Sequence, residues 1–513
     1  MSHFVCTPER PLVRTAAGLV HGYHWNGLDI FKGIPYAQAQ RFHAPEPAKP
    51  WKGVLDATNY GYVCPLMEMP KPQGELLTPH RYWVMDENCQ NLNVWTPGCD
   101  SARRPVLVWL HGGGYVAGSS IEQIAYEGEN MAKLGDCVVV SINHRLNVLG
   151  YLDLSAFGEE YANSGNAGGD DIVMALRWVR DNIAAFGGDP GNVTVFGQSG
   201  GGAKVITLLQ TPAADGLFHR GIVMSGVIDG LLADSAGTGE ACGQALLDEL
   251  GLKTVQELET APYAQLAEAY LKVQPALAKA GKNVGGTPYA NEFYLGDPLK
   301  RGFRKESLHV PLLVGTVFAE FAGFFGPKDG DAPQGVAAVK GAFGDVADAL
   351  VALFEKAYPQ RDPADLLSMD CLFRAPSSRL IRARAAAGGK VYSYLFDQDF
   401  EAFGRRVPWH CADIPFFFHN VDLVPVANIP GVSEQLQEQI FGMVMAFART
   451  GNPAHAGIPA WPASTEQDEA TMIFNAQTHL VHNHDQALMQ AAAPALTALA
   501  LQAMQNQEDQ IQH

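Results

Sequence analysis

The sequence predicts an α/β fold, a large and mostly parallel central sheet flanked by helices. Four stretches carry that prediction. Pro105–Leu110 and Cys137–Ile142 are near-continuous apolar runs, the pattern of strands covered on both faces. Between Asp170 and Phe186 the apolar residues Ile172, Leu176, Val179, Ile183 and Phe186 recur at helical spacing, and Gly187-Gly188 with Asp189-Pro190 end the helix. Strand-like Val193–Phe196 then runs into Gly197-Gln198-Ser199-Gly200-Gly201, and an apolar run to Leu209 reads as another helix. A strand, a long helix and a strand in succession form a parallel unit.

In chain order, Gly18–Tyr23 and Leu28–Lys32 alternate and read as antiparallel edge strands in the opening to about Leu55. Beyond Leu209, Gly221–Ser225, Val310–Val314, Val391–Phe396 and Ala470–Phe474 read as further strands. The intervals 231–299 and 333–387 are rich in Ala, Leu and charged residues at helical spacing, and are expected to be helical insertions capping the carboxyl edge of the sheet. Residues 1–485 thus read as one domain and 486–513 as a helical tail, with Leu496, Leu499, Ala500 and Ala503 as a weak apolar stripe after Pro494. The full 513 residues exceed the usual domain length, but large α/β proteins with insertions reach it.

Composition excludes some function classes. With 47% hydrophobic and 18% charged residues the chain is well cored. A formal net charge of -18 argues against nucleic-acid binding and against an anionic membrane surface. The first 18 residues hold no apolar region fit for a secretion signal, and no run approaches a membrane span, so a cytoplasmic setting is expected. The eight cysteines include no C-x-x-C spacing, which argues against a structural zinc site. His479, His482 and His484 read as a solvated surface cluster, not a metal site, and no cofactor is expected.

The chemistry centres on Ser199. Strand, tight turn and helix around G-x-S-x-G make a nucleophile elbow, in which the residues two before and two after the nucleophile must be very small. Gly197 and Gly201 meet that need. The helix behind Ser199 aims its amides and its positive dipole end where negative charge develops. Directly after the Pro105–Leu110 strand, His111-Gly112-Gly113-Gly114-Tyr115 lets backbone N–H groups turn towards an oxyanion. An acid and a base must follow the serine in that order. Candidate stretches are Gly315–Phe321, with Glu320, and Val407–Phe416, with His410.

These motifs resemble the type-B carboxylesterase family, α/β-hydrolases that include the cholinesterases and bacterial p-nitrobenzyl esterases. Phe31–Ala37 with Arg41-Phe42 resembles the family's amino-terminal signature, and Asp86–Pro97 its E-D-C-L-x-L-N motif. Asn166–Val179 and Asn182–Pro190 are similar to the block ahead of the nucleophile. The resemblance covers nearly the whole chain. It implies Ser199 as nucleophile, Glu320 as triad acid and His410 as general base, with Gly113, Gly114 and Gly200 as oxyanion donors. It implies a serine carboxylesterase acting through an acyl-enzyme on a small-molecule ester, as monomer or homodimer. The alternatives are an amidase, carbamate hydrolase or lactonase with the same machinery, or a non-catalytic binding protein.

Several positions depart from the family. Glu usually precedes the nucleophile and Ala follows it, where this chain has Gln198 and Gly200. The acid motif usually reads Asp-Glu-Gly, here Ala319-Glu320-Phe321, and Asp329 and Asp331 are rival acids nearby. Asn88 stands where the family has Asp, and Asp171 where it has Gln. The resemblance further implies ion pairs Glu87–Arg41 and Asp170–Arg145, a serine behind the acid at Ser225, and proximity of Cys64 and Cys89, expected as free thiols. Tyr82, Trp83, Tyr115, Phe321, Phe324, Phe325 and Trp409 are expected near the mouth of the site.

Overall fold

The computed structural model describes residues 4–7, 10–67, 77–230, 237–321, 335–402 and 405–497. The chain forms two compact units. One comprises residues 1–223 and 230–310, the other 224–229 and 311–513.

In the first unit the spatial order of strands is Tyr23–Trp25, Leu28–Pro35, Asn91–Thr96, Val138–Ile142, Arg104–Leu110 and Gly188–Gln198. The first three pairings are antiparallel and the last two parallel. The central strands are buried almost throughout, which is why they read as unbroken apolar runs. The crossover helix, Ala167–Asn182, continues as a 3-10 turn over Ile183–Phe186 and stops at Gly187, which is left-handed at φ 80°. The register of the Gly188–Gln198 strand with Arg104–Leu110 pairs Gly197 with Leu110. Both chains therefore leave the sheet side by side, one into the elbow and the other into the His111–Gly114 loop. The 231–299 interval supplies helices Glu240–Leu250, Val255–Thr260 and Tyr263–Lys279. They bury Cys242, Leu246, Val255 and Leu258 against Phe42, Val148 and Tyr161.

In the second unit, Leu312–Val317, Val391–Phe396 and Ala470–Phe474 run parallel, and His479–His482 closes the edge antiparallel. Helices Val336–Phe343, Ala347–Ala357 and Arg374–Ala386 belong to this unit. Leu488, Met489, Ala492 and Leu496, from the start of the tail, are buried in the same apolar cluster as Phe354 and Leu366. Leu499, Ala500 and Ala503 lie outside the described residues. Buried Arg374 ties the layers, donating to Glu469 (2.8 Å) and to Asp485 (2.8 Å). No helix among the described residues is long and apolar enough to cross a membrane.

Candidate active site

A single residue, Ser199, separates the Gly188–Gln198 strand from the Gly200–Leu209 helix. It is held at φ 57° and ψ −126°. A non-glycine residue in such a region costs about 1–3 kcal/mol and persists only where its surroundings impose it. Here they do. A Cβ on Gly201 would lie 2.0 Å from the Leu110 carbonyl oxygen, and one on Gly197 2.5 Å from the Gly201 carbonyl carbon. Only glycine fits either position. Ser199 thus stands at the N-terminus of a ten-residue helix, whose unpaired first amides favour negative charge beside it.

The glycine loop lies against this helix. Gly113 and Gly114 are left-handed, at φ 82° and φ 64°. The Gly113 carbonyl turns inward to accept from the amides of Val116 (3.2 Å) and Ala117 (3.0 Å). Neither the Gly113 nor the Gly114 amide donates a hydrogen bond within the described residues. Gly200 meets the loop directly, since a Cβ there would lie 2.1 Å from the Gly114 oxygen and 2.4 Å from its Cα. This approach is the physical reason for glycine where the family usually has alanine.

The second unit holds the two residues expected as acid and base. Glu320 follows the Leu312–Val317 strand and is fully buried; His410 is mostly buried. The His410 Nδ1–H donates to Glu320 Oε2 (2.6 Å), and the His410 amide donates to the Glu320 carbonyl (2.7 Å). The other carboxylate oxygen, Oε1, accepts from the Ser225 hydroxyl (2.6 Å) and the Val317 amide (2.8 Å). Ser225 sits past the Arg220–Met224 strand in the left-handed region, at φ 46°, with its amide on the Gly315 carbonyl (2.8 Å). Both oxygens of Glu320 are therefore engaged, and the imidazole tautomer is set by the carboxylate it faces. Phe321, where the family has glycine, packs its ring 5.1 Å from the His410 ring, and Phe373 packs at 5.2 Å.

Two further buried carboxyls lie near Glu320, and sequence reasoning passed over both. Asp370 accepts from the amides of Leu372 (3.0 Å), Phe373 (3.1 Å) and Arg374 (2.9 Å). Burial, and then the charge of Glu320, push it well above the usual carboxylate range. Asp413 accepts from the Tyr394 hydroxyl (2.8 Å) and has no partner on its other oxygen among the described residues. Burial first, and Glu320 second, raise it to about 7.

The remaining expectations divide. Tyr115 turns into the core at 1% exposure, with its hydroxyl on Thr207 Oγ1 (2.9 Å), so it offers no surface to a mouth. Trp409 is also buried, edge-on to Phe400 at 5.1 Å. Tyr82 and Trp83 are exposed. Phe324, Phe325, Asp329 and Asp331 lie outside the described residues. Arg41 Nε donates to Glu87 Oε2 (2.8 Å), although Glu87 keeps a third of its side chain exposed. The partner of Arg145 is Asp171, not Asp170. Arg145 Nε and Nη2 donate to the Asp171 carboxylate (2.9 and 2.7 Å), with side-chain exposures of 3% and 0%. One residue along a helix turns a side chain by about 100°, which carries Asp170 off that face. Burial and the Asp171 charge leave Asp170 raised to about 6. Cys64 and Cys89 are buried neighbours with free thiols. His484 departs from the expected solvated cluster, packing edge-on to Tyr358 at 5.3 Å.

A profile of the family described as Carboxylesterase family matches residues 9–342 and 355–492. The para-nitrobenzyl esterase of Bacillus subtilis is 33% identical over 94% of this chain and 99% of its own. Among solved structures, a Clostridium hathewayi esterase that can hydrolyze aliphatic aromatic polyesters is 50% identical, with a TM-score of 0.93 over 96% of this chain and 100% of its own. A Geobacillus stearothermophilus carboxylesterase is 33% identical, with a TM-score of 0.74 over 94% of this chain and 100% of its own.

Proposed function

The chain belongs to the carboxylesterase family and is a carboxylic ester hydrolase of the α/β-hydrolase fold, and on that premise we propose that Ser199, His410 and Glu320 carry the reaction. His410 Nε2 takes the Ser199 proton as Oγ attacks the ester carbonyl, then returns it to the departing alcohol. Glu320 fixes the Nδ1–H tautomer and stabilises the imidazolium. The amides of Gly113, Gly114 and Gly200 hold the tetrahedral oxyanion, each contributing on the order of 3 kcal/mol. Water then attacks the acyl-enzyme by the same proton relay, releasing the acid and restoring Ser199.

The observation that carries this assignment is Ser199 at φ 57° at the mouth of a helix, between glycines that no larger residue could replace. The proposed substrates are small esters, aromatic acyl groups included. Support for the latter comes from the polyester-hydrolysing relative and from Phe321, partly exposed beside the base. A cytoplasmic setting is part of the proposal, and the neighbouring free thiols of Cys64 and Cys89 fit a reducing compartment. The test is p-nitrophenyl butyrate hydrolysis, followed by mass spectrometry of organophosphate-labelled enzyme. Label on Ser199 and an inactive Ser199→Ala enzyme are expected. Label on another serine, or wild-type turnover in Ser199→Ala, would overturn the assignment.

A further inference from the structure

Lys204 lies on the helix that starts at Gly200, five residues beyond Ser199, and is buried at 1% exposure among apolar neighbours Ala203, Val205 and Ile206. Helical side chains lean towards the N-terminus of their helix. That direction carries the amine back to the His111 carbonyl, to which Nζ donates at 2.9 Å. This is its only hydrogen bond among the described residues, and the Tyr115 ring centroid lies 5.8 Å away. A methionine would fill such a site without burying an amine, so packing alone does not account for a lysine.

The accepting carbonyl explains what the lysine does. His111 opens the glycine loop, and its oxygen also faces Gly201, lying 2.9 Å from the Cβ position there. One backbone oxygen is thus held between the elbow helix and the side chain of Lys204. The loop bearing Gly113 and Gly114 is thereby fixed relative to Gly200, which lies in the same helix. We infer that Lys204 is a positioning residue for the oxyanion hole, its ammonium anchoring the glycine loop on the elbow helix and placing a buried positive charge behind the hole. This role rests on Gly113, Gly114 and Gly200 being the oxyanion donors.

The surroundings give the anchor a pH dependence. Burial lowers Lys204 to about 7, opposed by the charges of Glu122 and Cys64. Facing it from the sheet ends are His111 and His144, their rings stacked at 5.0 Å, with Tyr115 on the loop. Both imidazoles are fully buried and held well below their usual range, first by burial and second by Lys204. Each donates from Nδ1 to a backbone carbonyl, of Gly112 and of Arg145 (both 2.9 Å), and burial disfavours a second proton on either ring. The group that changes charge near neutrality in this pocket is therefore Lys204. Loss of its proton removes the positive charge as a negative one must form on the substrate.

The test compares wild type, Lys204→Met and Ser199→Ala in p-nitrophenyl butyrate hydrolysis from pH 5 to 10, with melting temperatures alongside. A phenylboronic acid, which forms an anionic tetrahedral adduct on an active serine, is titrated from pH 5 to 8, below the range in which the free boronic acid itself takes up hydroxide. Lys204→Met should lose about tenfold in kcat with KM nearly unchanged, less than the roughly 10²–10³ of deleting an oxyanion donor. Its boronate affinity should fall by the same factor. The wild type should show an alkaline decline in kcat and boronate affinity that Lys204→Met lacks. A Lys204→Met enzyme with wild-type kcat and pH profile overturns the inference. If that variant does not fold, a wild-type boronate affinity that does not fall between pH 6 and 8 overturns it as well. An active Ser199→Ala enzyme would instead defeat the site assignment beneath it.

Discussion

Placing alanine at position 200 would restore the residue usual in the family, and here it should cripple the enzyme. The added Cβ would lie 2.1 Å from the Gly114 oxygen, 2.4 Å from its Cα and 2.5 Å from its carbonyl carbon. Non-bonded carbons rest at about 3.5–4.0 Å, so something must move by roughly 1 Å. The elbow helix cannot retreat, because Gly201 already lies against the Leu110 carbonyl. The loop yields instead, carrying the Gly113 and Gly114 amides away from the proposed oxyanion position. Oxyanion donors act at about 2.7–3.1 Å, and loss of one costs about 10²–10³ in kcat. Gly200→Ala should therefore lower kcat for p-nitrophenyl butyrate by at least about 10², with little change in KM. Overpacking should also lower stability, by about 1–3 kcal/mol. Steady-state kinetics and a thermal melt on purified protein measure both effects. A Gly200→Ala enzyme with wild-type kcat would refute the close approach of loop and elbow.

Asp171→Asn should destabilise the protein by about 3–5 kcal/mol, since it leaves buried Arg145 unpaired, whereas Asp170→Asn should melt close to the parent. Differential scanning calorimetry of the two variants separates them, and equal melting points would contradict the pairing. Ser225→Ala should lower kcat about tenfold, the effect of losing one hydrogen bond to the Glu320 carboxylate, at the low end of the about 1.5–3 kcal/mol such bonds contribute. An unchanged kcat would leave Ser225 as a strand-end serine. Asp413 binds its proton up to about 7 when folded but only to its ordinary 3.8 when unfolded, so stability is lost as pH rises through that interval. Asn has no such dependence. The melting temperature of Asp413→Asn relative to wild type should therefore climb from pH 4 to 7 and level off above. A pH-independent difference would show Asp413 ionised at low pH.

Much of this architecture is written locally. The strands Arg104–Leu110, Val391–Phe396 and Ala470–Phe474 and the helix Gly200–Leu209 fall where apolar runs and the elbow pattern put them. The misplaced ion partner has a clear origin. Ala167–Asn182 buries Asp171, Ala175, Trp178 and Asn182 on a second face beside Ile172, Leu176 and Val179. A single-stripe pattern points to one face only, and could not tell which of two adjacent aspartates turned inward. Gly200 and Phe321 read as departures because their meaning lies in what approaches them, the Gly114 backbone and the His410 ring. Asp370 and Asp413 gave no local sign, since their depth depends on strands and turns far along the chain. Lys204 did give one, a lone charge inside an apolar helix.

The carboxyl trio of Glu320, Asp370 and Asp413 makes the surroundings of His410 a charge reservoir. Its two outer members are held towards neutrality partly by the charge on Glu320. Withdrawing that charge, as in Glu320→Gln, lowers the cost of ionising either neighbour. Asp413 lies three residues from His410, close enough for the two charges to attract. In a Glu320→Gln enzyme Asp413 ionises more readily than in the wild type, although burial, the larger cause, still opposes it, so part of the lost charge can return beside His410. The full electrostatic worth of the acid is exposed only when Glu320 and Asp413 are neutralised together.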